Sequence, residues 1–288
     1  MPPLTLTPKQ LSLNTATLGP NASLEDAVRG CVKYGFGGIA PWRDKVAEVG
    51  LAQACRLIKE AGLTVSGLCR GGLFPAADRS AREKIRADNL RAIEEAAALE
   101  AACLVLVVGG LPAGDKDLDG ARRQVEEGIA QMLAPARAAG VSLAIEPLHP
   151  MYAGDRACVN TLAQALALCE RLGPEVGIAA DVYHIWWDPD VLHQLQRVAQ
   201  AQRLLAFHLS DWLVPTRHLL TDRGMMGDGV IDLPRLCQRV ADDGYRGLYE
   251  VEIFSADGWW RQPVDVTLST IIQRLPALGS KEDRNENR

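Results

Sequence analysis

One unit recurs along this chain: an amphipathic helix that stops at a glycine, followed at once by a short, unbroken apolar run. Leu24, Ala27, Val28 and Cys31 fall at i, i+3, i+4 and i+7. So do Leu51, Ala54, Cys55 and Ile58, then Leu162, Ala165, Leu166 and Cys169, then Leu233, Leu236, Cys237 and Val240. That spacing gathers the apolar side chains on one stripe of a helix. The stripes end within a few residues at Gly35, Gly62, Gly173 and Gly244, and Gly140 closes a further helix running from about Gly120. A glycine just past a helix turns left-handed without a Cβ clash. The apolar runs that follow, at 38–42, 64–69, 141–148, 176–183 and 247–254, are too short for buried helices and too continuous for half-exposed strands. They read as parallel strands covered on both faces.

Three more strands at 11–18, 103–108 and 204–209, with helices at 79–100, 189–200 and 264–275, bring the expected total to eight of each in strict alternation. A doubly wound dinucleotide fold would place a glycine-rich turn after its first strand, and residues 18–21 (LGPN) contain no GxGxxG. The 288 residues leave room for one large barrel or two average domains, and the alternation decides for the barrel. The expectation is an α/β chain folded as a single (β/α)8 TIM barrel over 1–279, with a charged tail at 280–288 that frays. Ser23 with Asp26 resembles a capping box, and Asp188 before Pro189 looks like an N-cap followed by N1.

Charge and cysteine usage narrow the partners. Lys plus Arg total 31 against 36 for Asp plus Glu, a net charge of −5, which offers no general attraction to a polyanion and argues against nucleic acid. The start MPPLTLTPKQ lacks the basic and apolar segments of a secretory signal, and no apolar run approaches the ~18 residues of a membrane span. A cytoplasmic protein without membrane contact is expected. Seven cysteines, an odd count without a CxxC pair, favour neither a disulfide framework nor a thiolate zinc site, and read as small buried hydrophobes.

A barrel places its reacting groups at the C-terminal ends of strands and in the loops beyond them. The fifth expected strand, SLAIEPLHP, carries Glu146; the sixth, VGIAADVYHIWW, carries Asp181; the seventh, LLAFHLSDW, carries His208; the eighth, GLYEVEIFS, carries Glu250 and Glu252. Singly, each could be an N-cap, an ion-pair partner or a satisfied core histidine. Four consecutive strands ending in metal-ligand residue types are another matter, because unpaired carboxylates converging on one buried mouth need a cation or protonation to remain there. Carboxylates with one imidazole suit Mn²⁺, Mg²⁺ or Co²⁺ and tolerate Zn²⁺; Mn²⁺ is favoured.

These residues carry a resemblance. EPLHP, DVYH, HLSD, the long TDRGMMGDGVIDL loop and VEIFS make the chain similar, over nearly its whole length, to the sugar phosphate isomerase/epimerase superfamily of xylose isomerase-like TIM barrels, and within it to the inosose isomerases and ketose epimerases. The resemblance implies one metal held by Glu146, Asp181, His208 and Glu252, with Glu146 and Glu252 also acting as acid and base. Glu250 is the rival to Glu252, lying two residues earlier on the same strand face. The implied chemistry is proton transfer through an enediolate of a sugar, ketose or keto-cyclitol, giving epimerisation or aldose-ketose isomerisation. His184, three residues after Asp181, and Arg223, in the loop after the seventh strand, are the implied substrate contacts and nearby cations. Relatives form dimers or tetramers, so a homo-oligomer is an implied partner beside the small-molecule substrate.

All six tryptophans, 42, 186, 187, 212, 259 and 260, fall just after expected strands. Trp42, Trp186 and Trp212 are therefore candidates for an apolar wall against sugar C–H faces, with subunit contacts or packing as the alternative for some. Trp186 and Trp187 cannot both point inward along an extended segment. The glycine-rich 109–114 lacks the Lys and Ser/Thr of a phosphate loop and reads as a turn, while 224–230 (GMMGDGV) offers either a glycine-hinged lid or a static turn. His149 is a candidate for a supporting position, His218 is unassigned and His193 falls on a surface helix.

The same fold and glutamates could instead run elimination, as a dehydratase or lyase acting on an inosose or oxidised glycoside. A non-catalytic sugar-binding module would not need paired glutamates around a cation. The superfamily's apurinic endonucleases need a histidine two residues after an aspartate beyond the seventh strand, and here Asp228 is followed by Gly229 and Val230. No basic cluster is visible in the linear sequence, which points to a substrate without phosphate.

Overall fold

The apolar runs pair in parallel, each with its neighbour in the chain. In the computed structural model, which describes residues 3–279, the strands are β1 (Leu11–Asn14), β2 (Gly38–Ala40), β3 (Thr64–Val65), β4 (Leu68–Gly72), β5 (Leu104–Val107), β6 (Leu143–Ile145), β7 (Val176–Asp181) and β8 (Leu204–Leu209). A small antiparallel pair, β9 (Asp211–Trp212) and β10 (Arg223–Gly224), precedes β11 (Tyr249–Val251). The sheet order is β3-β2-β1-β11-β8-β7-β6-β5-β4. β3 and β4 are two stretches of one barrel strand. The Ser66 and Cys69 amides donate to the Ile39 and Pro41 carbonyls, each at 3.1 Å, so the chain between the two ends of the sheet closes the circle.

Helices α1 (Leu24–Tyr34), α3 (Leu51–Glu60), α4 (Arg79–Ala98), α5 (Leu118–Ala139), α6 (Leu162–Leu172), α8 (Val191–Gln200), α9 (Leu233–Asp242) and α10 (Val264–Arg274) form the outer ring, and the short α2 (Arg43–Val49) and α7 (Val182–Ile185) sit in loops. Helix α1 shows why the ring forms. The Ser23 hydroxyl accepts from the Asp26 amide while the Asp26 carboxylate accepts from the Ser23 amide, a cap worth about 1 kcal/mol. Its buried stripe is Leu24, Ala27, Val28 and Cys31, and burial of Leu24 alone contributes about 2 kcal/mol. Gly35 then ends the helix in the left-handed region at φ 76°. Leu104, Leu106, Leu143, Ile145 and Ile178 belong to the layer between sheet and helices. The barrel interior holds small side chains instead: Cys69, Cys103, Val105, Ala144, Ala179 and Ala206. All seven cysteines are free.

Several expected strands prove shorter, for a local reason. Residues 15–18 leave the first strand as a 3-10 turn because the Asn14 carboxamide accepts the Ala16 amide. Residues 182–183 open α7 because the Asp181 carboxylate accepts the Tyr183 amide. Asp188 is not the N-cap expected of it. Its carboxylate accepts the Asp190 amide in a turn, and the helix begins at Val191. The expectation of a frayed tail at 280–288 lies outside the described residues. Among the described residues no helix is long and apolar enough to cross a membrane.

Candidate active site

Strand alternation builds the site. Ala144, Ala179 and Ala206 face the barrel interior, so the residues two positions on, Glu146, Asp181 and His208, stand at the next level toward the mouth. At the end of β11 the same step separates Glu250 from Glu252. His208 pairs in register with Asp181 on one side and Glu250 on the other. One donor atom from each of Glu146, Asp181, His208 and Glu252 lies within 4.8 Å of the other three, and all four residues are buried. The structure thus brings together the four residues implied by the resemblance.

His208 stands between Glu250 of β11 and Glu252 just beyond that strand. Its Nδ1 lies 3.5 Å from both Glu146 Oε1 and Glu252 Oε2, and its Nε2 lies 3.5 Å from Glu250 Oε1. Both ring nitrogens are buried without a hydrogen-bond partner. Glu250 is held by Asn14 Nδ2 at 2.8 Å and the Ser66 hydroxyl at 2.7 Å, below the level of the other carboxylates. A buried, unpartnered imidazole nitrogen facing two carboxylates, with a third carboxylate behind the ring to fix its tautomer, fits a divalent cation. Glu146, Asp181, His208 and Glu252 would hold it, and Glu250 would orient the histidine.

Arg223 completes the charge balance. Its Nη1 donates to Asp181 Oδ2 at 2.6 Å and to Glu252 Oε2 at 3.3 Å. Three carboxylates and one divalent ion would leave a single negative charge, which this guanidinium would offset. The arginine is not a solvated loop residue: it is buried, and its guanidinium carbon sits 4.4 Å from the Tyr183 ring centroid and 4.9 Å from that of Phe254. Its position depends on Asp211, whose buried carboxylate accepts the amides of Trp212, Gly227 and Gly229 at 2.9 Å each and of Ile231 at 3.0 Å. With Met225 and Met226 fully buried, segment 224–230 is a pinned turn rather than a lid.

The environment drives the two catalytic candidates apart. Burial pushes the Glu146 carboxyl up to about 7, against the pull of the neighbouring His208. At Glu252 burial pushes the same way, but the neighbouring His208, with Arg223, outweighs it and holds the carboxyl below its ordinary range. Burial pushes the His184 imidazole down to about 3, so it is neutral. Arg223 Nη2 lies 3.3 Å from its Nε2, and its Nδ1 is buried without a hydrogen-bond partner among the described residues.

Above the carboxylates opens a cavity of about 450 Å³, bordered by Glu146, Glu252, His184, Arg223, Trp42 and Phe254 among others. Trp42, His184 and Arg223 therefore stand where the sequence places them. Trp186 and Trp212 do not line this cavity. Trp212 packs between Tyr183, His149 and Trp186, with centroids 4.6, 5.2 and 5.5 Å away, and so stiffens the wall from behind. His149 belongs to that stack, His193 is exposed beside Asp190, and the His218 ring accepts loop amides. Tyr152, Arg70, Arg156 and Phe254 also line the cavity, and none is marked by the strand-end pattern. Asn14 is a further omission with a readable signal, since it too is a polar residue ending a barrel strand. Its carboxamide donates to Glu250 and Glu252 and accepts from Trp42 Nε1 at 2.9 Å.

The family model described as xylose isomerase-like TIM barrel matches residues 28–270, and the chain belongs to that family. Protein SMc04130 of Sinorhizobium meliloti 1021 is similar in structure, with 56% identity over 95% of this chain and 100% of that one and a TM-score of 0.93. The L-ribulose-5-phosphate 3-epimerase UlaE of Escherichia coli O157:H7 is 26% identical over 205 residues, 69% of this chain and 67% of UlaE. The structure of the IolI protein with a bound zinc atom shares the fold at 19% identity and a TM-score of 0.80, covering 93% of this chain and 97% of that one.

Proposed function

We propose that this member of the xylose isomerase-like family is a divalent-metal-dependent isomerase or epimerase of a sugar, ketose or keto-cyclitol. The observation that carries the reading is the pair of buried glutamates, Glu146 and Glu252, grouped with Asp181 and His208 within 4.8 Å at the foot of a cavity. Similarity to an epimerase acting on a ketose phosphate supports it. Glu146, Asp181, His208 and Glu252 would hold the ion, whose hard donor set suits Mn²⁺; the zinc in the IolI structure is a second candidate. A divalent ion supplies Lewis-acid polarisation of a substrate carbonyl and its neighbouring hydroxyl, which acidifies the carbon between them.

The chain's own groups then move the proton. Glu252, kept ionised by His208 and Arg223, takes it from the substrate carbon. Glu146, whose carboxyl burial pushes upward, is the group that returns a proton, to the opposite face of the same carbon for epimerisation or, once the hydroxyl proton has shifted to the former carbonyl oxygen, to the adjacent carbon for isomerisation. Arg223 faces the oxygen on which negative charge develops, and His184, which borders the cavity, orients a substrate hydroxyl. Trp42 and Phe254 exclude water from one side of the cavity.

The test is elemental analysis of the purified protein, followed by incubation of the Mn²⁺-loaded form with ketoses, inososes and keto-glycosides in D₂O. Deuterium should enter one carbon-bound position of a converted substrate of otherwise unchanged mass. Loss of water or of an aglycone would move the reading to elimination, and absence of bound metal together with absence of exchange would end it.

A further inference from the structure

Two guanidiniums on the cavity wall have no counterpart in the proton transfer. Arg70 and Arg156, far apart in the chain, both line the cavity that contains Glu146 and Glu252. Neither guanidinium is hydrogen-bonded or ion-paired to a described residue; Arg156 only lies over the Tyr152 ring at 5.8 Å. Arg70 is half-buried and Arg156 exposed at the rim, and the contrast of Arg70 with other arginines withdrawn from solvent is sharp. Arg43 is clamped by Asp88 and Glu95, and Arg223 by Asp181 and Glu252.

The backbone is shaped to present Arg70. Cys69 pairs with Val105 and Gly71 with Leu106, so Arg70 is the extra residue of a β-bulge between β4 and β5. Bulges re-aim a side chain, and here the one re-aimed is a cation at the mouth. Burial, then the like charge of Arg156, weaken the hold of Arg70 on its proton, opposed by Cys69 and Glu146; a guanidinium nevertheless stays charged. Asp155 shares the rim but is exposed and pairs with neither. Two guanidiniums on one cavity wall without a carboxylate hydrogen-bonded to either make that wall positive, and their planar donor forks match the oxygens of phosphate or carboxylate.

We propose that Arg70 and Arg156 form an anion-binding end of the substrate cavity, so that the substrate is a sugar bearing a terminal phosphate or carboxylate. This rests on the reading of the cavity as a sugar-isomerising site, with the reacting carbons at Glu146 and Glu252 and the anionic end at the bulge.

Calorimetric titration of the Mn²⁺-loaded protein with sn-glycerol 3-phosphate, D-glycerate and glycerol tests it without turnover. At least one anion should bind roughly tenfold or more tightly than glycerol, and which one does identifies the group as phosphate or carboxylate. Arg70→Gln should weaken that binding roughly tenfold or more, Arg156→Gln by a smaller factor and Arg70→Lys only partly. Because no described residue hydrogen-bonds or ion-pairs with Arg70, Arg70→Gln should melt at the same temperature as the parent or higher. Equal affinity for all three probes, or anion binding unchanged in Arg70→Gln as for phosphate bound elsewhere in the cavity, would overturn the proposal. Anion binding lost in Arg70→Gln, in a protein that exchanges no sugar proton, would uphold this site and sink the isomerase reading alone.

Discussion

Glu250→Gln separates the two glutamates at the end of β11 by degree. Glu250 lies 3.5 Å from His208 Nε2, while Glu252 lies 3.5 Å from Nδ1, so one sits behind the imidazole and the other beside its proposed ligand atom. The variant amide keeps the shape and can still accept from Asn14, but it loses the negative charge that holds Nε2 protonated and leaves the Nδ1 lone pair toward Glu146. Removing such an outer partner costs about 10- to 100-fold in metal affinity, or ~1.4–2.7 kcal/mol. Glu252→Gln removes a ligand and leaves His208 and Arg223 short of a buried counter-charge. Breaking a buried pair costs about 3–5 kcal/mol, roughly 10²- to 10⁴-fold. Competition against a chromophoric chelator for Mn²⁺ and Zn²⁺ should therefore rank the parent above Glu250→Gln, and Glu250→Gln above Glu252→Gln by about tenfold or more. Melting curves of chelator-treated proteins check that both variants fold. Parent-like affinity in Glu250→Gln would remove its role behind His208, and weaker binding there than in Glu252→Gln would make Glu250 the ligand.

Other substitutions probe the supports. Asp211→Asn sets an amide against backbone donors that the carboxylate now accepts; at least two lose an acceptor, and urea unfolding should show a loss of about 2–4 kcal/mol, an unchanged midpoint and slope refuting the pinned turn. Burial raises Glu146 from the usual 4.5 to about 7, so ionising it costs the folded state stability: chelator-treated protein should lose stability as pH rises from below 4.5 through 7, while Mn²⁺ affinity rises across the upper part of that window because the ion needs the ionised carboxylate. Thermal melts and metal titrations from pH 5 to 8 read both trends, and flat profiles would contradict the assignment. Trp42→Phe keeps the cavity wall but deletes the 2.9 Å bond from Nε1 to Asn14; kcat/KM should fall about 3- to 10-fold with little change in melting temperature, and an unchanged kcat/KM would show that Asn14 holds Glu252 without it.

How far the site is legible in the sequence follows from which interactions are local. Helix stripes and strand alternation are properties of neighbouring residues, so Glu146, Asp181, His208 and Glu252 can be placed on one mouth once the barrel is recognised. Strand ends are less legible because capping competes with pairing. The Asn14 and Asp181 side chains accept amides two residues ahead and turn apolar sequence, which otherwise reads as strand, into helical turns. The tryptophans at the rim are ambiguous for a similar reason: an aromatic after a strand can face the cavity, as Trp42 does, or join a stack behind it, as Trp186 and Trp212 do.

The least legible features are those in which sequence-distant groups meet. In HLSDW, Asp211 looks like one more strand-end acid. Its carboxylate instead reaches the amides of 227, 229 and 231, and by fixing that turn it fixes Arg223 against Asp181 and Glu252. Arg70 falls just past the expected strand at 64–69, and only the register shows it to be the bulged residue of β4. Both cases follow one physical rule. A charged side chain in an apolar segment is unfavourable unless something answers its charge, and for Asp211 the answer is a set of backbone amides from the following loop. No described residue hydrogen-bonds or ion-pairs with Arg70. That asymmetry assigns Asp211 to the architecture and Arg70 to a ligand, and it accounts for why a linear sequence without a basic cluster still folds into a cavity with a cationic end.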